Sequence, residues 1–172
     1  MLAFVTVGST KFDALVQAVC SDAVLEALRN KGYTELVVQA GDSAFEHGSV
    51  MDGASDSART DAHGVRQEYY RFKPSLREDY ERADLIISHA GSGTILDVLR
   101  VPKPLIVVPN PTLLDNHQQE LAEALEQQGH LRASTPGTLA RDIEGFNPTS
   151  LVPFPPFDGS RFSRILDEEM GF

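Results

Sequence analysis

Short apolar runs alternate along the chain with amphipathic segments. The apolar runs are nearly continuous, which is typical of strands that are buried on both faces of a sheet. They predict strands at Leu2–Val7, Glu35–Gln39, Gln67–Phe72, Asp84–Ser88 and Pro104–Val108, with a short sixth strand at His130–Arg132.

Between these runs, apolar residues recur at the spacing of one helix face. The first such segment begins near Phe12 and is closed by Lys31-Gly32, a basic last turn followed by glycine. Further helices are predicted at 75–82, 94–100, 115–128 and 160–170. Residues 42–66 have no clear period and are predicted to form a long surface loop, and residues 145–159 are proline-rich and predicted to be an extended tail.

The alternation of strands and helices predicts an α/β fold, a Rossmann-like parallel sheet with helices on both faces. A chain of 172 residues has room for one full core. We therefore expect one domain over residues 1–144, followed over residues 145–172 by the proline-rich tail and a C-terminal helix.

Composition excludes several classes of function. The formal net charge of −10 argues against binding nucleic acid or an anionic membrane surface. Cys20 is the single cysteine, so we expect no internal disulfide, no thiolate metal site and no cofactor. No apolar run approaches the ~18 residues of a membrane span, and the start of the chain lacks a basic leader, which together predict a cytoplasmic protein.

Three polar, glycine-containing segments follow the carboxyl ends of predicted strands, where open parallel sheets bind their ligands. They are Gly8-Ser9-Thr10, the segment from His89 to Thr94, and the segment from Asn110 to Gln118. Because the parallel strands end at the same edge of the sheet, the three segments are expected to converge.

The turn Gly91-Ser92-Gly93 joins a buried strand to a helix start. Exposed peptide N–H groups at such a helix start, supported by the helix dipole, form a ready anion site. Three alternatives stay open: the glycines only make a tight turn, Thr94 and Asp97 only form a capping box, and His89 is only a hydrogen-bonded turn histidine.

Rival motifs are absent. A dinucleotide fingerprint would need glycine where Leu96 stands, and a hydrolase elbow would need glycines in place of Ala90 and Thr94. In the third segment, Asn116, His117 and Gln118 offer donors for a polar ligand, although a helix cap would need only one of them.

The pattern resembles a known family over roughly residues 1–132. The similarity is carried by Val5–Asp13, Tyr70–Phe72, Ala83–Thr94, Lys103–Asn110 and Asp115–Ala122. These segments resemble the C-terminal, donor-binding half of GT-B glycosyltransferases. Within that group they are most similar to the cytosolic subunits of enzymes that transfer N-acetylglucosamine from UDP-N-acetylglucosamine to a dolichol-linked acceptor.

The resemblance implies which residues bind the donor. Gly8, Ser9 and Thr10 match a loop that approaches the diphosphate, and the turn at 91–94 matches the helix start that faces it. Phe72 and Lys73 match a segment whose backbone contacts uracil.

For the sugars, the resemblance implies that Asp97 contacts the ribose hydroxyls. It implies that Asn116, His117 and Gln118 contact the N-acetylglucosamine and the phosphates. The proposed reaction proceeds with inversion and without a metal.

The acceptor half of the family's fold is missing from this length of chain. The resemblance therefore implies a membrane-anchored partner subunit that supplies the site for the lipid-linked sugar acceptor, carries the general base and recruits the chain to the cytosolic face of the endoplasmic reticulum. Phe162, Ile165 and Leu166 mark a docking helix or, equally, a helix packed on its own core. The alternative function is a non-catalytic nucleotide-sugar binding or regulatory module; an epimerase or hydrolase of this fold normally needs both halves on one chain.

Overall fold

The computed structural model describes residues 1–44, 58–112 and 117–156. In this part of the chain the strands are β1 (Leu2–Thr6), β2 (Glu35–Gln39), β3 (Ala58–Ala62), β4 (Val65–Tyr70), β5 (Leu85–His89), β6 (Leu105–Val108) and β7 (Arg132–Ala133). The helices are α1 (Asp13–Val19), α2 (Asp22–Asn30), α3 (Arg77–Arg82), α4 (Ser92–Leu99), α5 (His117–Gln127) and α6 (Leu139–Gly145), followed by a 3-10 turn at Pro148–Ser150.

The strands form one sheet in the order β3-β4-β2-β1-β5-β6-β7. Every pairing is parallel except that of the edge strand β3, which runs antiparallel to β4. The predicted Rossmann-like parallel sheet is therefore confirmed, with an added antiparallel edge.

Helices cover both faces of the sheet, as predicted. Alternate residues of β1 point to opposite sides: Ala3 and Val5 pack with α1, α2 and α6, whereas Phe4 packs with α3, α4 and α5. All three side chains are fully buried. Successive side chains of a strand point to opposite faces of the sheet. Because helices cover both faces here, apolar side chains are needed on both faces of β1, which explains the continuous apolar run.

The fold places a topological switch point at the end of β1. This strand pairs with β2 on one side and with β5 on the other, so the connections that leave β1 and β5 diverge. Ligands of open α/β sheets bind in the crevice that this divergence creates.

Some element predictions were wrong. The predicted single helix from Phe12 to Lys31 is two helices, because Ser21 accepts a hydrogen bond from Val24 N–H and starts a second helix. The predicted loop at 42–66 contains β3 and the start of β4. Helix α6 was not predicted at all, and the predicted helix at 160–170 lies outside the described residues.

Candidate functional site

The loops after β1 and β5 meet at the imidazole ring of His89. A Cβ atom built on Gly8 would lie 2.7 Å from His89 Cε1, and one built on Gly91 would lie 2.4 Å from His89 Nε2. Both distances are shorter than any real Cβ contact, so the ring occupies the space that a side chain at either glycine would need. The structure thus brings two of the three predicted segments together.

Helix α4 begins at Ser92 without a side-chain cap. Its N-cap residue is Gly91 and Thr94 already lies inside the helix, so the alternative of a capping box between Thr94 and Asp97 is excluded. Among the described residues, none accepts a hydrogen bond from the N–H groups of Ser92, Gly93 or Thr94. A Cβ atom on Gly93 would meet nothing within 4 Å, so this turn faces open space. Open amides at a helix N-terminus can bind an anion.

His89 is buried beside this helix start, with 7% of its surface exposed. Its Nδ1 atom has no hydrogen-bond partner among the described residues. Burial lowers the pKa of the imidazole, an effect that the backbone of Thr6 offsets in part. Burial thus favours the neutral form of the imidazole.

Gly8 occupies the left-handed region with φ +63°. Its N–H donates to Gln39 Oε1 (2.9 Å) and to Thr6 Oγ1 (3.1 Å), so this amide points into the protein. The Thr10 hydroxyl donates to the carbonyl of Val7 at 2.7 Å. Ser9, between them, is exposed. Ser9 is thus the member of the predicted diphosphate loop that is presented to solvent.

The loop after β4 carries Phe72, which is 54% exposed. The ammonium group of Lys73 lies 2.8 and 3.0 Å from the two carboxylate oxygens of Asp79 and 4.2 Å from the centroid of the Tyr70 ring. Burial and then the hydrogen bond to Asp79 raise the pKa of Tyr70 far above its usual range. The charge of Lys73 is therefore used to fix this loop to α3.

Asp97 lies on the exposed side of α4, one turn after Gly93. Its charge is felt by the buried phenol of Tyr80: burial, followed by Asp97, raises the pKa of Tyr80 to about 12, while a hydrogen bond with Thr94 opposes the shift. The hydroxyl group of Thr94 is thus engaged with α3, and the carboxylate of Asp97 is available at the surface.

The loop after β6 is hydrogen-bonded to the loop after β1 and to helix α5. Asn110 is 6% exposed, its Nδ2 donates to the carbonyl of Lys11 at 3.4 Å, and its backbone N–H donates to Gln118 Oε1 at 3.1 Å. The side chain of His117 is 83% exposed. Asn116 lies outside the described residues. Gln118 therefore positions the loop, and the exposed imidazole of His117 lies 3.9 Å from a carboxylate oxygen of Glu120.

A cavity of about 430 Å³ adjoins this loop, between α5, β7 and α6. Gln118 lines it together with Gln119, Ser134, Arg132 and Arg141, among other residues. Gln119 was missed by the sequence analysis, although its place beside Gln118 in the same polar run was the available signal.

No group of three or more His, Cys, Asp or Glu side chains among the described residues is arranged to hold a metal ion. None of the described helices is long and apolar enough to cross a membrane.

Comparison with known proteins identifies the family. Residues 2–167 match the glycosyltransferase family 28 C-terminal domain. The UDP-N-acetylglucosamine transferase subunit ALG13 of Mus musculus is 45% identical over 75% of this chain, and that of Saccharomyces cerevisiae is 34% identical over 96% of it. A solution NMR structure of ALG13 superposes with a TM-score of 0.67 and 26% identity, covering 99% of this chain and 96% of that one.

Acinetobacter baumannii MurG shares the fold, with a TM-score of 0.59 and 20% identity over 87% of this chain and 42% of its own. The chain spans 10% of the length of the mouse and human relatives but 94% of the yeast one. The family match covers nearly the whole sequence, and the fold is shared with the solved structures of ALG13 and MurG. The chain therefore belongs to the glycosyltransferase family 28 C-terminal domain family.

Proposed function

We propose that this chain is the donor-binding subunit of an inverting glycosyltransferase that moves N-acetylglucosamine from UDP-N-acetylglucosamine to dolichyl-diphosphate N-acetylglucosamine. The names of its relatives support the donor and the reaction class, since ALG13 of yeast and of Cryptococcus neoformans is a UDP-N-acetylglucosamine transferase subunit. The fungal relatives are also matched over nearly their whole length, which supports a subunit of this size.

The observation that carries the proposal is the uncapped start of α4, where Gly93 faces open space. When the donor bond breaks, negative charge builds on the UDP leaving group. Preorganised N–H groups aimed at that charge stabilise the transition state, and one such donor is typically worth roughly 3–4 kcal/mol of barrier. The amides of Ser92, Gly93 and Thr94 supply donors of this kind without a metal or a surface cation.

We assign the remaining donor contacts loop by loop, as the family resemblance implies. Ser9 approaches the diphosphate from the β1 loop, and the exposed ring and backbone of Phe72, followed by Lys73, contact the uracil. Asp97 binds the ribose hydroxyls from the open side of α4. His117, with Asn116 before it and the neighbouring glutamines after it, contacts the N-acetylglucosamine.

A membrane-anchored partner supplies the acceptor half, including the general base. The word "subunit" in the names of the relatives supports a second chain. We place the complex on the cytosolic face of the endoplasmic reticulum, with residues 1–144 binding the donor and residues 145–172 forming the tail and C-terminal helix.

The test is transfer of labelled N-acetylglucosamine to a lipid-linked acceptor. The full chain is co-expressed with the candidate membrane partner, and each chain is also assayed alone. We expect product only from the pair. UDP-N-acetylglucosamine binding without transfer by any pair would instead favour the non-catalytic binding module, and an absence of binding would overturn the proposal.

A further inference from the structure

Gln39 is a buried glutamine at the end of β2, between the two loops to which nucleotide contacts are assigned above. It is 1% exposed. In the sheet it pairs with Thr6 of β1 on one side and with Tyr70 of β4 on the other. Gln39 is thus the last paired residue of β2 before the crevice. The loop after β1 (the phosphate loop) lies on one side of it and the loop after β4 (the base loop) on the other.

The carboxamide of Gln39 makes four hydrogen bonds, three to β1 and the loop that follows it and one to the loop after β4. Its Oε1 accepts from Gly8 N–H at 2.9 Å and from the Thr6 hydroxyl. Its Nε2 donates to the carbonyl of Gly8 at 2.8 Å and to the carbonyl of Arg71 at 2.6 Å. Two donated and two accepted bonds at these distances satisfy a carboxamide in one orientation.

We propose that Gln39 is a positioning residue that fixes the distance between the phosphate loop at Gly8-Ser9 and the base loop at Arg71-Phe72. The proposal rests on the proposed function, because it assigns the two ends of one nucleotide to these loops. β1 and β4 do not pair with each other in the sheet, so the amide of Gln39 joins loops that the strand ladder holds only through β2.

Positioning of this kind acts on ligands that contact both loops at once. UDP contacts the base loop with its uracil and the phosphate loop with its diphosphate. Of these two loops, uridine contacts only the base loop and inorganic pyrophosphate only the phosphate loop, beside the start of α4. A misplacement of about 1 Å between two contact points can cost on the order of a hundredfold in a process that needs both. Replacing a residue that has only a structural role would weaken the binding of all three ligands together.

The experiment compares Gln39→Met with Gln67→Met in the full chain, alone and with its membrane partner. Gln67 is the matched control: it is a glutamine 4% exposed, on neighbouring β4, and it accepts a hydrogen bond from the Tyr69 hydroxyl. Dissociation constants are measured for UDP, uridine and pyrophosphate by NMR titration, and thermal unfolding is recorded for each variant.

We expect Gln39→Met to weaken UDP binding by about tenfold or more, with uridine and pyrophosphate each changed by less than about threefold. Gln67→Met should leave all three dissociation constants within about twofold. Equal losses for the three ligands in Gln39→Met, or no loss for UDP, would overturn the inference. If the wild-type chain binds no UDP, the proposed function fails as well, so the two failures are distinguishable.

A measurement on the wild-type chain keeps the proposal testable if Gln39→Met does not fold. Amide hydrogen exchange is followed at Gly8, whose N–H donates to Gln39. Saturating uridine, which contacts the loop after β4 but not the loop after β1, should slow exchange at Gly8 by at least about threefold. Protection confined to residues after β4 would contradict the coupling.

Discussion

Replacing Gly91 with alanine tests whether His89 is locked between the two glycine turns. The backbone at Gly91 has φ −74°, so alanine fits it without strain. The new methyl group, however, would lie 2.4 Å from His89 Nε2. The ring has to move by about 1 Å to restore an ordinary contact.

The ring has little room to move, because the Cβ position of Gly8 lies only 2.7 Å from the other side of the same imidazole. Overpacking of a buried site typically costs about 1–3 kcal/mol. For a chain of this size, that predicts a fall in melting temperature of about 2–12 °C.

The assay is thermal and denaturant unfolding of a double-mutant cycle. Gly91→Ala is made in the wild-type chain and in a His89→Ala background, where the methyl group has space. We expect the cost of Gly91→Ala to fall to within about 0.5 kcal/mol in that background, giving a coupling energy of about 1–3 kcal/mol. Gly93→Ala is the matched control: nothing lies within 4 Å of its Cβ, so it should stabilise the helix by about 0.5–1 kcal/mol. Additive effects of Gly91→Ala and His89→Ala would refute the reasoning.

Three further predictions concern neighbouring groups. Asp79→Asn should destabilise the chain by about 1–3 kcal/mol in denaturant unfolding, because it weakens buried hydrogen bonds to Tyr70 and Lys73. Gly8→Ala should cost more than Gly91→Ala, because it adds strain at φ +63° to the clash with His89. The free energy of unfolding should fall as the pH drops below 6.5, since burial holds the pKa of His89 below this value and the unfolded chain takes up the proton first; His89→Gln should flatten this slope.

The control for the first of these predictions is an exposed carboxylate on the same helix. Glu81→Gln removes an exposed ion pair with Arg77 and should change stability by less than about 0.5 kcal/mol. If Asp79→Asn is as mild as Glu81→Gln, or if the slope survives in His89→Gln, the corresponding argument is wrong.

The central strands were predictable because their environment is simple. β1, β5 and β6 lie inside the sheet with helices on both faces, so they had to be continuous apolar runs. β3 is an edge strand with the polar sequence Ala-Arg-Thr-Asp-Ala, which carries no such signal. The break between α1 and α2 was missed because the apolar spacing continues through Cys20 and Ser21.

The site was predictable in its place but not in its internal contacts. Glycine turns after strands indicated where the crevice lies, since backbone topology alone puts those turns at one edge. Three contacts could not be read from the sequence. The ring of His89 occupies the space that a side chain at Gly91 would need, Lys73 pairs with Asp79, and Gln39 is hydrogen-bonded to two loops. Each of these contacts links residues from different elements, and only the folded chain brings them together.

The most direct test of the account is an NMR titration of the isotopically labelled chain, alone and in complex with its partner, with UDP-N-acetylglucosamine. The amide signals of Ser92, Gly93 and Thr94 should move downfield as their N–H groups bind the diphosphate, and free N-acetylglucosamine should not move them. Saturable binding that leaves these three amides unchanged would contradict the claim that the start of α4 holds the donor's charge.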